Sequence, residues 1–189
     1  MKRIGILGDI GSGKSYVARK FGYPVFDADQ EVHKIYKKEK RIFLKLKRVL
    51  PNYFSTFPLN KNEVSNAIVV NDKNLKKIVK VIHPEIRKKL NIFINKNKKR
   101  KIVVLDIPLL LENKIDKKND ILVFVNSKKK EINKRLRKRK NFNQTLFRKF
   151  KKIQLSLDHK KRKSNFIINN KFTEQSVKVE IRRILNKVT

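Results

Sequence analysis

Gly8-Asp9-Ile10-Gly11-Ser12-Gly13-Lys14-Ser15 decides how this chain is read. It runs glycine, four residues, then Gly-Lys-Ser, the pattern of a phosphate-binding loop. Glycines let successive backbone N–H groups turn inward toward phosphate oxygens. In this pattern Lys14 reaches the β- and γ-phosphates of a nucleotide and the Ser15 hydroxyl holds Mg²⁺. Upstream, Ile4, Ile6 and Leu7 read as a buried strand. Downstream, Tyr16 to Phe21 reads as a helix start, whose positive dipole end faces the phosphates. Strand, loop and helix in that order separate the motif from a chance glycine-rich turn.

The chain has 189 residues, which suits one domain with a real core. It has no cysteine, so disulfides and thiolate metal sites are excluded. His33, His83 and His159 lie far apart, which argues against zinc. No apolar run reaches the length of a membrane span and no signal peptide is read, so cytosolic residence is expected. Fifty-one Lys and Arg against sixteen acids give a net charge of +35, a balance found in nucleic-acid binders. Lysine, however, is spread from Lys2 to Lys187. Aromatics do not interleave with the basic runs as a single-strand platform requires. Lys, Asn and Ile share A/T-rich codons, so drift toward a basic, solvated surface is favoured over a dedicated nucleic-acid partner.

Taken in order, Tyr23 to Phe26 is a second short strand, ending in Asp27-Ala28-Asp29. Carboxylates just past a strand end sit where open α/β sheets bind ligands. Asp29 can take a proton from a substrate hydroxyl or help position Mg²⁺. Asp27 or Asp29 can equally cap a helix starting near Gln30. Residues 30–98 carry apolar residues at helical spacing and little strand character, which predicts a helical insert closing over a second substrate. His83-Pro84 is expected to break a helix, with Pro84 in the first turn of the next. His83 itself is a packing or capping residue or a substrate contact.

Lys101 to Leu105 is the clearest buried strand, and Asp106 terminates it. An acid there resembles the second nucleotide-binding signature, whose carboxylate orders the Mg²⁺ shell. Glu112 is either solvated or part of the site. Ile121 to Val125 is another buried strand, and Ser127 is expected to cap the helix that follows. Arg135 and Arg139, four apart, are expected to share one face of that helix, a fork suited to phosphate or simply an exposed basic face. A further helix runs to Gln154, Asp158 to Lys163 reads as solvated, and Asn165 to Ile168 is the last strand before an amphipathic helix from Thr173 to Leu185. Strands separated by long crossovers imply a parallel sheet covered on both faces. The expectation is one α/β domain over 1–189: a three-layer, five-stranded nucleotide-binding core, the 30–98 insert, and a basic lid over about 128–157.

The combination resembles the dephospho-coenzyme A kinase family over nearly the whole chain. The resemblance rests on Gly8 to Ser15, Phe26-Asp27-Ala28-Asp29, His83-Pro84-Glu85-Ile86, Asp106-Ile107-Pro108-Leu109-Leu110-Leu111-Glu112, Arg135-Leu136 with Arg139, Gln154, and Phe166 to Asn170. It implies a P-loop kinase fold and transfer of the γ-phosphate of ATP, with Mg²⁺, to the ribose 3′-hydroxyl of dephospho-coenzyme A, the last step of coenzyme A synthesis. It implies that Gly11, Ser12, Gly13, Lys14, Ser15 and Tyr16 hold ATP, together with Arg135 and Asn170. Asp29 becomes the general base and Arg139 the lid arginine, with Lys14 the third catalytic group. Asp29, His83, Asp106 and Glu112 fall on the acceptor side, and Ser15 and Asp106 on the metal. A monomer or weak homo-oligomer is expected. The chain departs from the family pattern at Asp9, at Asn169 of the Asn169-Asn170 pair, at Lys171 where glycine commonly stands, and at Phe150 where arginine often precedes the glutamine. A nucleoside or nucleotide kinase and a nucleic-acid-binding P-loop protein are the competing readings.

Overall fold

The computed structural model describes residues 1–139 and 142–189. Among these residues β1 (Lys2–Gly8), β2 (Val25–Asp27), β3 (Ile102–Asp106), β4 (Ile121–Asn126) and β5 (Phe166–Asn169) form one parallel sheet in the order β2-β3-β1-β4-β5. The expected α/β class and five-stranded parallel sheet are what the chain adopts. Strand β1 is central. Its residue Gly5 is in register with Leu105 on one side and Leu122 on the other. The chain leaves β1 toward β2 on one side and reaches β4 on the other, so the winding reverses at β1. Ligands of such sheets bind at the carboxyl ends of the strands at that reversal.

The chain divides into two compact units: Met1–Asp27 with Lys96–Phe142 and Ile153–Thr189, and Ala28–Asn95 with Asn143–Lys152. The first holds the sheet. On one sheet face Ile4, Ile6, Ile102, Val104, Val123, Val125 and Ile168 pack under α1 (Lys14–Lys20) and α9 (Glu174–Val188). The two helices supply Val17, Ala18, Val177, Ile181 and Ile184 to this core. Each valine or isoleucine among them contributes about 1.5–3 kcal/mol on burial. On the other face Leu110 lies over β1, so close that a Cβ at Gly5 would stand 2.7 Å from its Cδ2. The same unit contains α6 (Lys129–Arg137) and α8 (Leu157–Lys163).

Helix α9 is capped by the Thr173 hydroxyl and tied to α1 through Lys20 and Glu174, 2.8 Å apart. Hydrogen bonds from Lys20 first and Lys178 second hold the Glu174 carboxyl down at about 2. A carboxyl depressed by folding stabilises above its unfolded value, near 4.5, and that contribution is lost as pH falls toward 2. Glu174→Gln is therefore expected to flatten the acid-side loss of stability over that interval, read as urea midpoints against pH.

The second unit contains α2 (Ala28–Lys38), α3 (Lys40–Val49), α4 (Lys61–Val70) and α5 (Asp72–Lys96). Residues 143–152, most of α7 (Gln144–Ile153), belong with them. Lys149 of α7 pairs with Asp72 at the start of α5. The Asn74 amide inside α5 donates to the Ala67 carbonyl of α4 at 2.9 Å.

Several expectations are corrected. His83-Pro84 does not break a helix: Pro84 sits inside the 25 residues of α5. A proline there removes one backbone donor. The buried stripe Leu75, Ile78, Ile82, Ile86 and Leu90 continues on both sides of it, so packing carries the helix through. Helix α2 begins at Ala28, which puts Asp29 inside the first turn rather than ahead of it. Helix α6 ends at Arg137, and the Arg139 N–H closes on the Leu136 carbonyl at 3.1 Å. Arg135 and Arg139 therefore do not share a helical face. Like charges on Lys134, Arg135, Arg137, Lys138 and Arg139 disfavour another turn. The run Asp158–Lys163 is not simply solvated, because it lies in α8 and buries Lys160. Of the segment expected as a lid, residues 140 and 141 lie outside the described residues.

Candidate functional site

The loop leaving β1 is built on two left-handed glycines, Gly11 at φ 85° and Gly13 at φ 91°. A Cβ on Gly11 would meet Ile132 and Leu136 of α6 at 3.1 Å. A Cβ on Gly13 would fall 2.5 Å from the Asn170 amide nitrogen. Both positions strain a side chain on conformation, and at Gly13 a Cβ also requires the Asn170 amide to move. Gly13 is also the N-cap of α1, where no side chain makes a capping hydrogen bond.

The middle of the loop is pinned at Ser12, which is fully buried. Its carbonyl accepts from the Ser127 hydroxyl and from the Asn170 amide, each at 2.9 Å. Asn170 in turn accepts from the Phe172 N–H at 2.8 Å. Two strand ends, those of β4 and β5, thus hold one loop carbonyl. Asn170, expected to contact ATP, touches the loop backbone directly. Ser127 does not cap α6, whose N-cap is Lys128, because its hydroxyl is spent on Ser12. That role was missed: a hydroxyl before a helix reads as a cap, and only the β1–β4 pairing brings it to the loop. Glycine is dispensable at position 171, since the left-handed residue is Phe172, at φ 60°.

The Lys14 ammonium donates to the Asp9 carbonyl at 2.7 Å and the Gly8 carbonyl at 3.4 Å. The Asp9 carboxylate accepts from the neighbouring Ile10 N–H at 2.7 Å, folded onto its own loop. Ser15 and Tyr16 are half-exposed in the first turn of α1. The Arg135 guanidinium lies 4.5 Å from the centre of the Phe172 ring, a cation–π contact. That ring approaches to 3.5 Å of the position a Gly13 Cβ would take. Arg135 is thereby brought to the flank of the loop, and Arg139 is exposed beyond α6.

Asp106 ends β3 at 4% exposure, in register with Asp27 of β2. Glu112 is held by the Lys160 ammonium at 2.7 Å and by the Leu155 N–H at 2.9 Å. Both bonds go to Oε1, and the buried Oε2 has no hydrogen-bond partner among the described residues. Lys160 is a second residue that sequence reasoning missed, hidden in a basic run that looks solvated. In the second unit, burial first and the charge of Arg87 second push the His83 imidazole below its ordinary value. It is neutral near pH 7. The Asp29 charge is felt by the buried Tyr36 phenol, which burial foremost, and Asp29 in addition, pushes up.

Gly13→Ala is expected to expel the Asn170 amide from the Ser12 carbonyl and strain the N-cap. The expected loss is about 2–3 kcal/mol of stability, read by urea unfolding, with weaker nucleotide binding.

A family model described as dephospho-CoA kinase matches residues 2–175 of the chain. The chain is 33% identical over 190 residues to the dephospho-CoA kinase of Wolbachia pipientis wMel, covering 98% of this chain and 97% of that one. Its fold matches the crystal structure of TT1252 from Thermus thermophilus with a TM-score of 0.81 at 24% identity, over 100% of this chain and 98% of that one. It matches dephospho-CoA kinase from Campylobacter jejuni with a TM-score of 0.65 at 20% identity, over 100% and 97%.

Proposed function

The chain belongs to the dephospho-CoA kinase family, and from that premise we propose which of its groups carry out the reaction and how. ATP is the co-substrate and dephospho-coenzyme A the acceptor, with coenzyme A the product. The acceptor atom on this reading is the ribose 3′-hydroxyl. The observation that carries it is the Gly8–Ser15 loop, held at the end of the central strand by Ser127 and Asn170.

Phosphoryl transfer leaves little covalent work to a protein, so positioning and charge neutralisation carry it. The loop N–H groups and Lys14 hold the phosphates. Arg135 stands at the flank of the loop. Arg139 supplies a guanidinium to the transferred group, where its planar fork matches phosphate oxygens. Asp29 accepts the hydroxyl proton as the oxygen attacks. His83, neutral, offers the acceptor a hydrogen bond without adding charge. Glu112 belongs to the acceptor side on the family resemblance, its carboxylate held by Lys160 and the Leu155 N–H. The 30–98 helices hold the acceptor and the 128–157 segment closes over ATP, which excludes water and suppresses hydrolysis.

No group of three or more His, Asp or Glu side chains gathers into a metal cluster among the described residues. The Ser15 hydroxyl and the Asp106 carboxylate nevertheless fit Mg²⁺, which takes one or two protein oxygens and completes its shell with phosphates and water. When bound, Mg²⁺ supplies neutralisation of the β- and γ-phosphate charge. Cytoplasmic residence, a monomer or weak homo-oligomer, and no dedicated nucleic-acid partner complete the reading.

A coupled ADP-release assay tests it. Turnover with dephospho-coenzyme A is expected to exceed that with adenosine or AMP by about a hundredfold or more in kcat/KM. Preference for AMP or a nucleoside would return the chain to the nucleotide kinases.

A further inference from the structure

The buried Gly8 carbonyl is where two side chains meet. Lys14 donates to it at 3.4 Å and the Gln154 amide nitrogen at 3.3 Å. Gln154 follows α7 directly, and its amide oxygen is buried with no hydrogen-bond partner among the described residues. The next residue, Leu155, donates its N–H to Glu112, and Glu112 is paired with Lys160. The two charged side chains are 9% and 3% exposed. A buried ion pair adds little net stability, and its better-attested use is to specify one arrangement. Here it fixes the backbone beside Gln154.

A bound triphosphate places a demand on this arrangement. The Lys14 ammonium must turn from the loop carbonyls to the phosphates. Among the described side chains the Gly8 carbonyl then keeps the Gln154 amide as its donor, and a buried carbonyl left without one disfavours the bound state. Resting on the ATP-dependent reading above, we propose that Gln154 is a positioning residue for nucleotide binding. Its amide keeps the Gly8 carbonyl satisfied while Lys14 moves to phosphate, and the Glu112–Lys160 pair holds Gln154 in place through the Leu155 N–H. Glu112 thus acts on the nucleotide side through Oε1.

The test combines titration with a non-hydrolysable ATP analogue and steady-state kinetics on the full chain. Gln154→Ala is expected to weaken the analogue, and raise the KM for ATP, by about five- to tenfold. kcat and the KM for dephospho-coenzyme A are expected to stay within about twofold, a split that a general structural defect does not produce. Gln154→Glu, which keeps the shape but loses the donor, is expected to match or exceed that loss. A Glu112→Ala/Lys160→Ala pair, which removes both charges together, is expected to shift the same constant. Adding Gln154→Ala to it is expected to produce little more, because the residues act in series. Should the paired variant not fold, the two Gln154 variants decide alone. Unchanged analogue affinity in Gln154→Ala, equal losses for both substrates, or additive losses would overturn the proposal. Failure of the unaltered protein to bind the analogue would instead remove the ATP-dependent reading, and the proposal with it.

Discussion

Asp29→Asn is expected to lower kcat by about 10²- to 10⁴-fold while the KM for ATP moves little. The substitution keeps the side chain's size and its capacity to accept a hydrogen bond. On the proposed mechanism it removes the ability to take up the hydroxyl proton at the moment of attack. A group needed only in the transition state lowers kcat and kcat/KM together. The position suits a charged carboxylate. Asp29 lies in the first turn of α2, where backbone N–H groups and the helix dipole favour negative charge. Its charge also reaches the buried Tyr36 phenol, so the variant is expected to lower the pH at which Tyr36 ionises, seen by ultraviolet titration. That second readout reports whether the carboxylate has been neutralised without distorting the helix. Initial rates with each substrate varied in turn check the first. Unchanged turnover would remove Asp29 from the chemistry and leave the acceptor without a base.

How much of this was legible in the chain follows from the range of the interactions involved. The Gly8–Ser15 motif, the apolar strands and the amphipathic α9 are local patterns, and local patterns survive in sequence. The helical spacing of apolar residues over 30–98 also marked helix correctly, but Pro84 misled by suggesting two helices where α5 is one. A local breaker was overridden by burial on both sides of it, a tertiary effect that propensity does not contain. The loop's supports were less visible. Ser127 lies 115 residues from Ser12 and Asn170 lies 158 residues away. Ser127 cannot be connected to the loop until strand order is known, and Asn170 is reached only through the family resemblance. Lys160 shows the same limit in another form. In a chain with a net charge of +35, a lysine with a buried partner is written like any solvated one. The paired arginines failed for the opposite reason: the spacing of Arg135 and Arg139 was read as helical, and α6 stops between them.

The other large effect belongs to Lys14. Lys14→Met is expected to reduce kcat/KM for ATP by about 10²- to 10³-fold, the scale seen when one donor to developing charge is lost. Methionine nearly reproduces the length of the stem, so what is removed is the charge and the three N–H donors. In the protein without nucleotide the ammonium satisfies the carbonyls of Asp9 and Gly8, at 2.7 and 3.4 Å. The Gly8 carbonyl keeps the Gln154 amide when Lys14 is gone, and the loop is held separately by the Ser12 contacts. The thermal midpoint is therefore expected to change far less than activity. Lys14→Arg separates charge from shape. A guanidinium preserves the positive charge, but it is a broad planar fork rather than a compact point charge. The ammonium must fit against two loop carbonyls and then against phosphate, so arginine is expected to recover only a small part of the loss. Full recovery by arginine would mean that the general positive field near the loop, already strong in so basic a chain, supplies the stabilisation. The compact donor at position 14 would then not be what the reaction uses.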